Sequence, residues 1–381
     1  MAIDASLFDV AILGGGPAGT ASAIKLARLG RKVIVIEKSS YDSPRIGETL
    51  PPHIKTILYE LGVWQSFLAT NPLPSFGIKS SWGGHDLSSS SFIFSPYGSG
   101  WHIDRRKFDR MLSEAAVSEG AVVLTNCKIV NIHPDSKNGW SVEFRRMDEN
   151  KEKSRVTSEL NTSKNSSVYS KAVVNAMGRN SMFVRQLGAE RELYDNLMGI
   201  AVRFQGEKAQ SNPFTLVEAS ENGWWYSALL PETHLIVIFM TDMDIKHLRQ
   251  MGVWIKQLNK TSHTRARCSG YTQLSGPAIF SASTQRLKRS GYEDKWLAVG
   301  DASFSADPLS GSGIDFALRS GYYGALALHP WLSGDISSLK NYEEHLEIEF
   351  RKYVKNKANY YRLETRWSES PFWKQRSIQP I

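Results

Sequence analysis

The sequence predicts an α/β protein: a Rossmann-like dinucleotide-binding domain, an antiparallel-sheet domain and a C-terminal helical segment. Three observations carry this. Residues 8–13 form an apolar run that ends in the glycine turn 14–19, and residues 20–29 take helical spacing before a second apolar run at 32–36. Strand, glycine turn, helix and strand in that order describe a buried parallel β-α-β unit. Between residues 198 and 240, apolar and polar residues alternate in short runs separated by Asn212-Pro213, Asn222-Gly223 and Pro231-Glu232, the pattern of an antiparallel sheet. Residues 341–367 are one charged stretch with helical spacing. On this reading the Rossmann-like domain is discontinuous and comprises residues 1–70, 98–190 and 286–335. The sheet domain comprises 71–97 and 191–285, and 336–381 is the helical segment.

The remaining elements follow in chain order. Residues 50–68 have mixed helical periodicity, and residues 106–120 form a clearer amphipathic helix stopped by Gly120, followed by the apolar strand 121–124. A hairpin pattern over 140–174 is interrupted at 147–170 by a stretch rich in Lys, Glu, Ser and Asn, expected to be an exposed or disordered loop. Residues 295–299 give another buried strand, which leads into a second glycine-rich turn and a helix over 315–328.

Composition narrows the class. With 381 residues, 41% apolar and 22% charged, the chain is an ordinary globular protein with length for two to three structural units. No apolar tract approaches the ~20 residues of a membrane helix, and residues 1–8 lack the basic and apolar regions of a secretory leader. A cytoplasmic location without a membrane span is therefore expected. The two cysteines, Cys127 and Cys268, stand alone and favour neither a disulfide framework nor a metal site. Residues 351–376 carry eight Lys/Arg against two acids.

Gly14-x-Gly16-x-x-Gly19 sits where a dinucleotide fingerprint must, after the first strand and opening a helix, with Pro17 and Ala18 between the last two glycines. The first glycine makes the tight turn, the second admits a pyrophosphate, and the third lets the helix pack closely. The helix start offers free N–H groups and a positive dipole end to that pyrophosphate. Glu37, at the end of the second strand, is placed to accept hydrogen bonds from a ribose. No second such fingerprint follows a strand, so a nicotinamide cofactor has no domain of its own.

Four further segments carry a family resemblance. Residues 101–109 (WHIDRRKFD), 175–178 (NAMG), 296–303 (WLAVGDAS) and the continuation through Asp307-Pro-Leu-Ser-Gly-Ser-Gly313 stand in the order seen in the flavoprotein hydroxylase superfamily. That superfamily includes aromatic monooxygenases, flavin-dependent halogenases and geranylgeranyl reductases. The resemblance implies a glutathione-reductase-type domain with noncovalent FAD. In it Arg105 would reach the pyrophosphate and Asp301 the ribityl or pyrophosphate region. Pro308 would lie near the flavin face, and Gly311, Ser312 and Gly313 would donate backbone N–H groups. Lys38, Arg45, Gly178 and Gly300 complete the expected contacts. Many hydroxylases carry a His after the Gly-Asp pair and an Asn after the final glycine; here Ser303-Phe304 and Asp315 stand instead.

Residues 45–52 (RIGETLPP) resemble the halogenase and prenyl-reductase side. Halogenases also use a Trp-x-Trp-x-Ile-Pro signature and a lysine; here the tryptophan-rich stretch 223–231 has different spacing, and Lys79 is the candidate lysine. Taken together, 45–52, 223–231 and 300–313 most resemble the flavoproteins encoded beside quinone-cofactor amino-acid oxidases, which implies modification of a tryptophan in a partner so that cysteine tryptophylquinone can form. The expected activity is an FAD-dependent monooxygenase acting on an electron-rich ring through a flavin C4a-hydroperoxide, with dioxygen as co-substrate and NAD(P)H or another reductant as a transient electron donor. Asp307, Glu48 and His102 are the acid/base candidates. Against these stand structural roles: a turn cap for Asp307, a bridge to a backbone amide for Glu48, a half-buried strand position for His102. A quinone-cofactor oxidase precursor would dock near the basic C-terminal segment, where Tyr353, Tyr360, Tyr361, Trp367, Phe372 and Trp373 interleave with the cations. The plainer alternative is that these aromatics pack on the body. No nucleic-acid signature accompanies them. Competing functions are an indole-type halogenase, a prenyl-chain reductase and a non-catalytic FAD-bound maturation chaperone.

Overall fold

The computed structural model describes residues 7–147, 165–179, 181–206, 213–243, 249–288, 294–335 and 337–378. Its first layer is a seven-stranded sheet built outward from Leu7–Leu13. That strand pairs in parallel with Val33–Ile36 on one side (Val10 opposite Val33) and with Ser166–Asn175 on the other (Val10 opposite Ala172). Val33–Ile36 is buried at all four residues, as a strand covered on both faces must be. Helix Pro17–Arg28 crosses one face and starts at a proline, whose missing N–H costs nothing in a first turn.

Helix Pro17–Arg28 packs on helix Gly313–Trp331 at a separation that only glycine allows. A Cβ on Gly321 would lie 2.2 Å from the Ala18 carbonyl oxygen, and Ser22 Oγ donates to the Gly321 carbonyl at 2.9 Å. Helix Arg105–Ser118 is capped by Asp104, whose carboxylate accepts the Arg106 N–H at 2.9 Å.

The second large sheet has eight strands, with Met198–Gly206, His234–Thr241, Gly223–Leu229 and Thr215–Ser220 at its centre. The alternation in the sequence anticipated these strands, but the sheet is not wholly antiparallel: Gly77–Ser81 joins Thr215–Ser220 in parallel. Two three-stranded sheets link the large ones, one of Thr49–Leu50, Gly100–His102 and Leu73–Ser75, the other of Arg191–Leu193, Gln285–Leu287 and Phe304–Ser305. Leu73–Ser75 and Arg191–Leu193 pair in these smaller sheets and not in the eight-stranded one. Strand Ser166–Asn175 begins inside the stretch expected to be a loop; residues 148–164 of that stretch lie outside the described residues.

The tail also departs from expectation. Its long helix is Ser337–Arg362, and a second helix, Pro371–Ile378, follows a turn. The turn is held by Glu364, whose carboxylate accepts the N–H groups of Gly83 (2.8 Å) and Arg366 (2.9 Å). Tyr361, Phe372 and Trp373 are buried in the core beneath the second sheet with Trp224, and Trp367 packs against them. Arg376 is buried and pairs with Asp242 at 2.6 Å. The expected docking aromatics are thus mostly core residues; Tyr360 remains exposed. No helix among the described residues is long and apolar enough to cross a membrane.

Gly321→Ala is expected to destabilise the protein by about 1–3 kcal/mol, since the added methyl meets backbone. Gly84→Ala, where a Cβ meets nothing within 4 Å, serves as control, and urea unfolding of both variants checks the difference.

Candidate functional site

One cavity of about 690 Å³ opens where the two large layers and the two helix starts meet. Its floor is the first glycine turn. Gly14 has φ +102°, and a Cβ there would stand 2.5 Å from the Ala176 carbonyl oxygen; a Cβ on Gly19 would stand 2.0 Å from the Gly14 carbonyl oxygen. These two contacts leave Gly16, Pro17 and Ala18 facing the cavity at the start of a helix that no side chain caps. The second helix start is equivalent: Gly311, Gly313 and Ile314 line the cavity, and Ser312 makes no capping bond from its side chain. Two uncapped helix N-termini on one cavity favour an anionic ligand.

Glu37 closes the floor. Its Oε2 accepts the Gly15 N–H at 2.7 Å, and its Oε1 accepts from Arg45 Nη2 at 2.9 Å and the Ser39 N–H at 3.0 Å. Burial works against the charge, but the Ser39 hydroxyl, the Arg45 guanidinium and the amides together hold this carboxyl below the usual range. Arg45 and Arg105 form an adjoining wall, joined through Asp109. That buried carboxylate receives Arg45 Nη1 (2.9 Å) and both Nε and Nη2 of Arg105 (2.9 Å each). Arg105 also donates to the Ile46 carbonyl at 2.7 Å. On a further wall Asp301 pairs with Arg179 at 3.1 Å, and Arg179 ties this pair to the Ala306 carbonyl at 2.8 Å.

The far end is apolar. Tyr226, Ile238, Met240 and Phe280 present the second sheet to the cavity. The Tyr226 hydroxyl is satisfied by Thr49 Oγ1 at 2.5 Å. Glu48 stands between the two ends: its Oε2 accepts the Gly47 N–H at 2.9 Å, while its Oε1 has no hydrogen-bond partner and lies 3.8 Å from Arg203 Nη2. Burial pushes the Glu48 carboxyl up to about 7 against the opposing pull of the Gly47 amide, Arg203 and Arg105.

Over residues 8–355 the sequence matches the FAD binding domain family. The chain belongs to that family. It is similar to LodB of Marinomonas mediterranea, a protein named for an inferred FAD-dependent oxidoreductase activity, with 29% identity over 97% of this chain and 96% of LodB. Among solved structures it is similar in fold to the myxobacterial chondrochloren halogenase CndH (TM-score 0.87, 19% identity, 99% of this chain and 87% of that one). It is likewise similar to the peptidyl tryptophan dihydroxylase QhpG (TM-score 0.78, 19% identity, 99% of this chain and 81% of that one).

The cavity's donor set fits the family's cofactor. The glycine turn and paired helix starts suit a pyrophosphate, and Glu37 suits a ribose. Arg45 and Arg105 add positive charge, and the turn from Asp307 to Gly313 offers a flat glycine-lined face. Of the residues expected at FAD, Gly14, Gly16, Pro17, Ala18, Glu37, Lys38, Arg45, Arg105, Gly178, Asp301, Pro308, Gly311 and Gly313 all line this cavity. Gly19, Gly300 and Ser312 stand behind it. Gly19 and Gly300 serve close packing, since a Cβ on Gly300 would meet Ala18 Cβ at 2.8 Å, and Ser312 Oγ turns back to Ser310 Oγ at 3.0 Å.

Two acid/base candidates line the cavity and two expectations move away from it. Glu48 bridges to a backbone amide as described, yet keeps one oxygen uncommitted. Asp307 caps the turn through the Leu309 N–H at 2.9 Å, and its other oxygen is held by the Tyr361 hydroxyl. His102 is fully buried, not half-buried, and lies behind the wall with Nε2 at 3.0 Å from Thr215 Oγ1; burial and the nearby Arg267 push it down to about 3, so it stays neutral. Lys79 is on strand Gly77–Ser81 with its ammonium over the Phe214 ring at 5.2 Å, outside the cavity lining. The sequence reading missed Asp109, although it ends the 101–109 segment, and Arg179, the next residue after the 175–178 segment. It read Tyr226, Ile238 and Met240 only as part of a motif and of strands, and missed that they join Phe280 in one apolar wall.

Glu48 predicts a pH dependence. Because its folded pKa lies above the unfolded value near 4.5, its contribution to stability is fully present below that value and is lost as pH rises through about 7. Glu48→Gln is therefore expected to gain stability over wild type, by about 3 kcal/mol, between pH 4.5 and 8. Urea unfolding of the FAD-free proteins at both pH values measures it; a difference independent of pH contradicts the assignment.

Proposed function

We propose that this protein is an FAD-dependent monooxygenase that hydroxylates an electron-rich aromatic ring, a tryptophan side chain of a partner protein during tryptophylquinone cofactor biogenesis. The observation that carries this reading is the continuity of one cavity from the cofactor cradle to the apolar wall of Tyr226, Ile238, Met240 and Phe280. Bound FAD, reduced by NAD(P)H or another donor, supplies the activation of dioxygen. The chain's own residues do the rest. The apolar wall excludes water and holds a flat ring, and Glu48 Oε1, with a carboxyl that titrates near 7, holds or releases a proton at neutral pH. The full-length likeness to LodB supports an FAD-dependent oxidoreductase, and the shared fold of QhpG, a peptidyl tryptophan dihydroxylase essential for tryptophylquinone cofactor biogenesis, supports the substrate class.

The fold of CndH keeps halogenation as the competing reading. Against it stands Lys79, which covers Phe214 instead of lining the cavity. Co-expression with a tryptophylquinone oxidase precursor and mass spectrometry of that precursor test the proposal: one or two oxygen atoms gained on a tryptophan is the expected result. Halide incorporation, or no oxygen gained when FAD is bound and reduced, overturns it. Lys79→Met is expected to leave the modification yield unchanged.

A further inference from the structure

The turn that carries Pro308 lies on the cavity, but its anchor comes from the C-terminal helix. Asp307 is buried, and three side chains of helix Ser337–Arg362 converge on it. The Tyr353 hydroxyl accepts the Asp307 N–H at 2.6 Å, the Tyr361 hydroxyl donates to Asp307 Oδ2 at 2.7 Å, and Lys357 Nζ stands 4.0 Å from the same oxygen. The three are spaced four residues apart and so occupy one helix face. Lys357 also forms an ion pair with Asp195 and donates to Thr284 Oγ1 at 2.9 Å, with the Lys357 and Asp195 side chains only 7% and 6% exposed.

Covering a sheet asks only for apolar side chains on that face. A buried ammonium between two carboxylates costs desolvation, and here it lies behind the turn that carries Pro308. We propose that Tyr353, Lys357 and Tyr361 are positioning residues that lock Asp307 and the turn after it against bound FAD, and that Lys357 offsets the charge of Asp195 and Asp307 behind the flavin. The inference rests on the FAD-binding reading and is independent of the substrate. Burial raises the Asp307 carboxyl and Lys357 opposes that rise. Without the ammonium, Arg376 is the remaining cation acting on Asp195 and Asp307, and the less compensated negative charge behind the cavity disfavours adding electrons to the flavin.

The test compares the FAD midpoint potential, visible flavin spectrum and FAD Kd of the loaded wild type with those of Lys357→Met, Lys357→Arg, Tyr361→Phe and the double variant Lys357→Met/Asp195→Asn. Lys357→Met is expected to shift the potential to more negative values, and the added Asp195→Asn to return most of that shift. Lys357→Arg keeps the wild-type potential. Tyr361→Phe, which removes one hydroxyl and leaves the ring, is expected to weaken FAD binding about ten-fold and alter the spectrum. If potential, spectrum and Kd stay at wild-type values in Lys357→Met and Tyr361→Phe while only thermal stability falls, the cluster is a brace for the fold and the proposal is wrong. Should Lys357→Met fail to fold, the Tyr361→Phe spectrum and Kd decide alone. A wild-type chain that binds no FAD overturns the cofactor reading itself and is distinguished by that.

Discussion

Everything at the cavity depends on how closely the start of helix Pro17–Arg28 approaches the chain around it. Gly19 lies against Gly14, Gly300 against Ala18 and Gly321 against the Ala18 carbonyl, each at a distance that admits no side chain. Gly19 and Gly321 meet backbone and Gly300 meets the Ala18 methyl, and helices Pro17–Arg28 and Gly313–Trp331 direct their uncapped starts at one space. The positive ends of two helix dipoles then act on the same ligand, with Arg45 and Arg105 beside them. A methyl group on Gly321 would meet the Ala18 carbonyl and push the two helices apart.

Around this frame, three buried carboxyls have different fates set by their surroundings. Glu37 receives amides, a hydroxyl and a guanidinium and is held ionised. Glu48 receives one amide and only the more distant pull of Arg203 and Arg105, so burial dominates and it titrates near neutrality. Asp307 is buried as deeply but is claimed by Leu309, Tyr361 and the nearby Lys357. Residue type alone made Glu48 and Asp307 equal candidates for proton transfer. The partners divide them, leaving one as a proton-holding group and the other as the anchor of a turn.

The sequence by itself determined the cofactor cradle. Gly14, Gly16, Gly19 and Glu37 act through turn geometry and strand-helix spacing, which span few residues and leave a local pattern. The second sheet was legible for the same reason, since alternation has a period of two, although its parallel strand was not: pairing Gly77–Ser81 with Thr215–Ser220 joins segments more than a hundred residues apart. What only the tertiary structure decided is which side chains reach the cavity. His102 lies in the resembling segment 101–109 and Lys79 was a candidate by position alone, and the structure places both outside the cavity lining. The tail aromatics could be read as a recognition surface or as packing on the body, and contacts with Trp224 and the sheet above bury Tyr361, Phe372 and Trp373. Burial and partnership are properties of contacts between distant segments, and the tryptophans, arginines and carboxylates concerned have no spacing along the chain from which those contacts can be read.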